Sequence, residues 1–156
     1  MPAWNPNLRS KTAIRTSDTR YYVDPSIATA ALGISPKELT NDLNTLGLLF
    51  ETMCVRNLRV YSEAIGGNVF HYRDKSGLEC DTVIHLRNGK SGLVEIKLGG
   101  DKLIGEGVQN LIKLRDKIDT TKMNVPSFVT LWGSVSFSLF HRGDNQYLHC
   151  NIWQDL

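Results

Sequence analysis

Little in this sequence sets a function by composition. Its three cysteines, Cys54, Cys80 and Cys150, are odd in number and far apart, and neither a Cys-x-x-Cys pair nor a His-x-x-x-His spacing occurs. A disulfide framework and a zinc site are therefore not indicated, and a reducing cytoplasm is the expected setting. No apolar run approaches the ~20 residues needed to cross a bilayer, and no signal-peptide pattern opens the chain. Repeats and low-complexity tracts are absent. Charge is nearly balanced, 18 Lys and Arg against 16 Asp and Glu, so bulk electrostatics neither demand nor exclude a polyanionic partner. No aromatic-basic groove is evident, which leaves nucleic-acid binding without support from composition. A phosphate-binding loop is missing too. Gly89-Lys90-Ser91 imitates its end, but position 84 is Ile and a strand-like run follows where that motif needs glycine and a helix. What remains is 156 residues, 41% hydrophobic and 22% charged, enough for one globular domain with a full core.

The informative stretch is Gly77 to Leu98. Two apolar, β-branched runs, Cys80 to Leu86 and Gly92 to Leu98, flank Arg87-Asn88-Gly89-Lys90, and Asn-Gly between strand-like runs predicts a hairpin. Side chains two apart on a strand share a face. Asp81 is thus expected on the face of Val83, and Glu95 on that of Leu93 and Lys97, with Val94, Ile96 and Leu98 pointing the other way. If that other face packs on a core, Asp81, Glu95 and Lys97 converge. Two carboxylates in one place repel, whereas a hard divalent cation with oxygen ligands holds both ionised. Magnesium, or manganese in its place, is the expected cation. A lysine two residues past the second acid can orient a water nucleophile or stabilise charge developing on a phosphate. His85 shares the face of Asp81 but lies roughly 13 Å along the strand, too far for the same ion, and His71, His141 and His149 are isolated.

In chain order, residues 1–20 show no period and read as a flexible tail or linker, with 21–156 forming a single domain. Tyr21-Tyr22-Val23 suits a short strand. Asp24-Pro25, then Ser26 to Leu32 and Gly33, reads as cap, first-turn proline, helix and glycine stop. Ser35-Pro36-Lys37-Glu38 has capping-box spacing and opens a short helix ending near 45–47. The longest helix is predicted over 46–65. Phe50, Cys54, Leu58, Tyr61 and Ile65 follow helical spacing, widened by Leu46, Leu49, Met53, Val60 and Ala64, so a largely buried helix is expected. Glu51 interrupts that apolar segment: it either lies at the margin and reaches water or has a partner inside. Val69 to Arg73 forms a strand pairing with Cys80 to Leu86. The helix over 101–119 follows the hairpin as a crossover, with Lys102, Lys113, Arg115 and Lys117 on its polar side. Pro126 to Trp132, Val135 to His141 and Tyr147 to Trp153 are strand patterns. The expected fold class is α/β, a mixed sheet built from an antiparallel meander plus a crossover helix, flanked by helices, with a small helical lead-in.

Asp81, thirteen intervening residues, then Glu95-Ile96-Lys97 resembles the PD-(D/E)xK superfamily of restriction-endonuclease-like nucleases. Cys80 stands where the proline of that name would be. Tyr21-Tyr22-Val23-Asp24-Pro25 and Ala31-Leu32-Gly33, continued by Gly47-Leu48-Leu49-Phe50-Glu51, Tyr72-Arg73-Asp74, Gly77 to Asp81 and Val94 to Gly99, resemble the C-terminal domain of unknown function carried by many prokaryotic AAA-type ATPases. The resemblance covers nearly everything after residue 20. It implies a nuclease-like core on the C-terminal fragment of a larger protein, with the ATPase domain upstream as partner. It also implies metal-dependent phosphodiester hydrolysis in DNA or RNA. Asp81, Glu95 and Lys97 are the implied catalytic set. Glu51, Asp81, Glu95 and the carbonyl of Ile96 are the implied metal ligands, and Glu79 and Gln109 are implied in support. The alternative is a nuclease fold kept as a catalytically silent module that binds nucleic acid or protein for its ATPase, the same charges forming a salt-bridge network.

Overall fold

The computed structural model describes residues 1–133, 137–140 and 148–150. Three helices, α1 (Pro25–Leu32), α2 (Pro36–Asn41) and α3 (Leu43–Ala64), precede a meander of β1 (Gly67–Arg73), β2 (Glu79–Leu86) and β3 (Ser91–Lys97). Helix α4 (Asp101–Lys117) crosses over to β4 (Phe128–Gly133), and β5 (Phe137–Phe140) and β6 (Leu148–Cys150) follow. The sheet runs in chain order from β1 to β6, antiparallel except where α4 brings β4 parallel to β3. This is the expected mixed α/β sheet flanked by helices, restriction-endonuclease-like in arrangement. The turn expected at 142–145 and the outer ends of the last two strand patterns lie outside the described residues.

Local chemistry accounts for the element ends. Asp24 Oδ1 accepts from Ser26 N at 2.9 Å ahead of Pro25, and Gly33 closes α1 in the left-handed region at φ 63. Ser35 and Glu38 form the capping box of α2. Helix α2 ends at Asn41, earlier than expected, because Asp42 turns out of it and caps α3 through Thr45 N at 3.1 Å. Between β2 and β3, Gly89 takes φ 79 and donates its N–H to Leu86 O at 3.0 Å, a conformation a side chain would oppose. Tyr21 to Val23 forms no strand.

Both faces of the sheet are covered. Under α4, Leu111, Leu114 and Ile118 pack on Tyr72, Cys80, Val83, Leu93, Val129 and Leu131. Under α3, Cys54, Val55 and Leu58 pack on Val94 and Ile96. Strand β3 is therefore buried on both sides, so the acid-bearing face of the hairpin is not an open surface. The apolar stripe of α3 is wider than the sheet covers. Thr52 and Ser62 are buried, whereas Tyr61 and Ile65, expected in the core, are 65% and 67% exposed.

The opening segment is not a tail. Trp4 is buried against Tyr72, edge to face at 6.4 Å. Its N–H donates to His71 O at 2.7 Å, Arg9 N donates to Lys117 O at 2.8 Å, and Arg15 N donates to Arg73 O at 2.8 Å. Met1 and Thr19 close the strap by exchanging backbone hydrogen bonds at 2.6 Å and 3.0 Å. Extended backbone of this kind has no side-chain period to read, and Trp4 is its buried aromatic anchor, with Leu8 and Ile14 packed on the same core. Replacing a mobile tail residue is close to neutral for stability. Here Trp4→Ala is expected to destabilise the domain by ~3–5 kcal/mol, read as a fall in the denaturation midpoint at unchanged slope in urea.

Candidate functional site

The pairing of β1 with β2 slips once. Phe70 faces Val83, but Tyr72 faces Cys80. Three steps on β2 thus span two on β1, which puts a bulge at Asp81–Thr82. The bulge breaks the strict alternation. Cys80 and Val83, three apart, both lie under α4, and Asp81 does not simply share the face of Val83 as alternation predicted. Bulges re-aim side chains and end ladders, and both effects are seen here. The β2–β3 ladder runs from His85–Ser91 to Thr82–Val94. Beyond it the side chains take over: Ile96 N donates to Asp81 Oδ2 at 2.8 Å, and Asp81 N donates to Glu95 Oε2 at 3.3 Å. Two carboxylates sit where β2 and β3 part.

Lys97 joins them. Its Nζ lies 3.2 Å from Asp81 Oδ2 and 2.8 Å from Glu95 Oε1. The second contact is an ion pair without hydrogen-bond alignment, so the buried Oε1 is neutralised yet has no directed donor. Glu95 is fully buried. Helix α4 closes over it at Gly107, where a Cβ would stand 3.1 Å from Glu95 Cγ and 2.8 Å from Leu131 Cδ1. Burial, reinforced by the Asp81 charge, pushes the Glu95 carboxyl up to about 8 despite Lys97. Burial alone would lower the Lys97 ammonium, but Asp81 and Glu95 outweigh it and hold the group above the usual lysine range.

On the other side of the sheet, Glu51 of α3 is partly buried and accepts from Tyr21 Oη at 2.6 Å. Burial and the Asp81 charge raise its pKa, while the Tyr21 bond and Lys97 act against the rise. Glu51 is therefore not a solvated marginal residue; it stands within the field of Asp81 and Lys97. Glu79 faces solvent in an ion pair with Arg73 at 3.4 Å, near enough to raise the pKa of Tyr21 and Glu51. Ile96 takes part through its N–H, and its side chain is in the core under α3. Gln109 is exposed on α4 beside Lys102, Glu106 and Lys113. At 100° per residue, the helix that aims Gly107 at Glu95 turns Gln109 away.

Tyr21 and Gly107 escaped the sequence reading. A glycine inside the helical pattern of 101–119 is a signal of close packing and could have marked position 107. Nothing marks Tyr21, because its role is set by a contact thirty residues away in sequence.

Among the described residues, no three His, Cys, Asp or Glu side chains are grouped closely enough to hold a metal ion between them. The donor chemistry nevertheless suits a hard cation. Asp81 and Glu95 offer carboxylate oxygens in one place, one of them a buried atom without a directed donor, and such oxygens are the preferred ligands of magnesium and manganese.

A family model for a domain of unknown function, DUF4143, matches residues 46–148. The chain belongs to this family. That span takes in α3 from Leu46 on, the whole meander, α4 and β4, and so every site residue above except Tyr21. No curated protein matches the DUF4143 chain. Among solved structures, one described as the cryoEM structure of a DrdV–DNA complex aligns at 18% identity and a TM-score of 0.42, over 65% of this chain and 10% of that one. The DUF4143 chain thus spans about a tenth of that protein's length.

An acid whose pKa in the fold exceeds its unfolded value makes the fold less stable as pH rises between the two. For Glu95 that window runs from the ordinary 4.5 to about 8, and Lys97 stays charged throughout it. Glu95→Gln removes the penalty and leaves Lys97 paired with Asp81. Each unit of the rise is worth ~1.4 kcal/mol, so over the rise from 4.5 to about 8 the variant, without added metal, should be more stable than the native chain near pH 8, by ~4–5 kcal/mol. The two should converge near pH 5. Thermal melts at both pH values check this.

Proposed function

We propose that this DUF4143 domain is a metal-dependent nuclease that hydrolyses phosphodiester bonds in DNA or RNA. The observation that carries the reading is the contrast between two fully buried carboxylates among the described residues, Asp74 and Glu95. Asp74 accepts from Leu78 N, Ser76 N, Ser76 Oγ, Tyr72 Oη and Lys117 Nζ, all within 3.1 Å. Burial would raise its pKa, but these donors outweigh that and hold the carboxyl down at about 2. Asp74 is a settled structural acid. Glu95 has one amide at 3.3 Å and a shared ammonium, and its pKa goes the other way. A buried carboxylate kept in so poor a setting, next to a second one, is the mark of a working site.

In this reading Asp81 and Glu95 hold magnesium or manganese, with Glu51 beside them and the Ile96 carbonyl as a further oxygen. The cation supplies Lewis acidity and lowers the pKa of a bound water. Asp81 keeps its place through the Ile96 N–H. Lys97, whose Nζ lies between Asp81 Oδ2 and Glu95 Oε1, would hold a proton where it steadies the attacking water or the phosphate charge. Glu79 adds negative potential at the rim. The resemblance of Tyr21 to Gly33 and of the hairpin to the ATPase-linked family supports a place after an AAA-type ATPase domain in a longer cytoplasmic protein.

A second reading has one observation in its favour. Lys97 engages both acids, as a salt-bridge network in a silent binding module would. The deciding measurement is cleavage of labelled single- and double-stranded DNA and RNA with manganese or magnesium, native chain against Glu95→Ala. Cleavage by the native chain, falling at least ~100-fold in the variant, is the expected result. Absence of cleavage on every substrate, with metal binding demonstrated, would establish the silent module instead.

A further inference from the structure

Tyr21 stands outside the span of the family match, yet it is the residue that touches Glu51. Its ring packs with the core under α3, against the cluster of Cys54, Val55, Leu58, Val94 and Ile96, while its neighbour Tyr22 is 55% exposed. The backbone around it is tied on both sides. Two residues before, Thr19 and Met1 exchange their hydrogen bonds. Three residues after, Asp24 pairs with Arg56 of α3 at 3.0 Å. The phenol is thus delivered to a fixed point, and there its Oη–H donates to Glu51 Oε1 at 2.6 Å. Glu51 Oε2 has no hydrogen bond to any described residue.

A buried phenol needs an acceptor, and a backbone carbonyl would satisfy it. A desolvated carboxylate is a costly acceptor, doubly so within the field of Asp81. The choice is economical only if the carboxylate must be there for another reason and has to be aimed. Groups that hydrogen-bond to a metal ligand orient it and tune its basicity.

We infer that Tyr21 is a positioning residue of the cation site, its phenol fixing one oxygen of Glu51 so that the other is presented beside Asp81 and Lys97. The inference rests on the cation-binding reading of Asp81 and Glu95. It makes the strap over residues 1–21 part of the site, so that the fold's first segment bears on metal affinity.

The test is titration calorimetry with Mn²⁺ alone, on the full chain and four variants: Tyr21→Phe, Glu51→Gln, the two combined, and Glu95→Gln. Phe keeps the ring in place and removes only the donor. Tyr21→Phe should weaken Mn²⁺ binding by about 10- to 100-fold, Glu51→Gln should weaken it as much or more, and the combined variant should be no weaker than Glu51→Gln. That lack of additivity is what action through Glu51 requires. Native affinity in Tyr21→Phe, or an equal further loss in the Glu51→Gln background, overturns the inference while leaving the cation site standing. A native chain that binds no Mn²⁺, or a Glu95→Gln variant with native affinity, overturns the cation site and the inference with it.

Discussion

The parting of β2 from β3 at Asp81 is the constraint on which the rest depends. Antiparallel strands that stay paired satisfy their own backbone groups, and a carboxylate among them has nothing to do. The bulge at Asp81–Thr82 ends the ladder, and the freed amides of Ile96 and Asp81 are taken up by Asp81 Oδ2 and Glu95 Oε2. Acid side chains have replaced backbone carbonyls as acceptors. This arrangement is stable only where a cation stands between the acids, and Lys97 is that cation in the present structure.

Everything packed around the parting serves to keep it dry or to hold it open. Helix α4 approaches β3 at Gly107 so closely that no side chain fits, which strips water from Glu95 and raises its pKa. Asp74 and Lys117 tie the far end of the same helix to the β1–β2 turn. Charge interactions strengthen as water leaves. The same enclosure that makes Glu95 costly makes its interaction with a cation strong.

Features set by local chemistry were legible in the sequence. Asp24-Pro25, the Ser35–Glu38 box and Asn88-Gly89 each carry their own geometry, and all three formed where the residues predicted them. The strand and helix order followed from period and length. Features set by contacts far apart in sequence were not legible. The strap has no period. The stripe of α3 could not say how far a sheet would cover it, and Tyr61 and Ile65 came out exposed. Alternation grouped Asp81 with Val83, but the bulge is invisible to a two-residue period. The approach of Asp81, Glu95 and Lys97 was nevertheless legible, because a hairpin turning at Asn88-Gly89 with thirteen residues between the acids sets Asp81 across from Glu95. Gln109 failed for the opposite reason: a family position was carried over without the rotation of the helix, and Gly107 faces Glu95 in its place.

Charge balance bears on which function the site was built for. A salt-bridge network that only braces the fold settles near neutrality, as Asp74 and Lys117 do, one acid to one amine. Among the described residues, Asp81 and Glu95 stand at the parting with Lys97, and Glu51 lies within the field of that group. With all three acids ionised that leaves two negative charges without a partner in a place with little water. Burial and the neighbouring Asp81 charge push both Glu95 and Glu51 toward the protonated form. A divalent cation brings the deficit to zero without added protons. In the proposed cation site that imbalance matches the charge of a divalent ion, and carboxylate oxygens favour a small, hard one. The reading as a cation site therefore rests on the number of charges as well as on their arrangement.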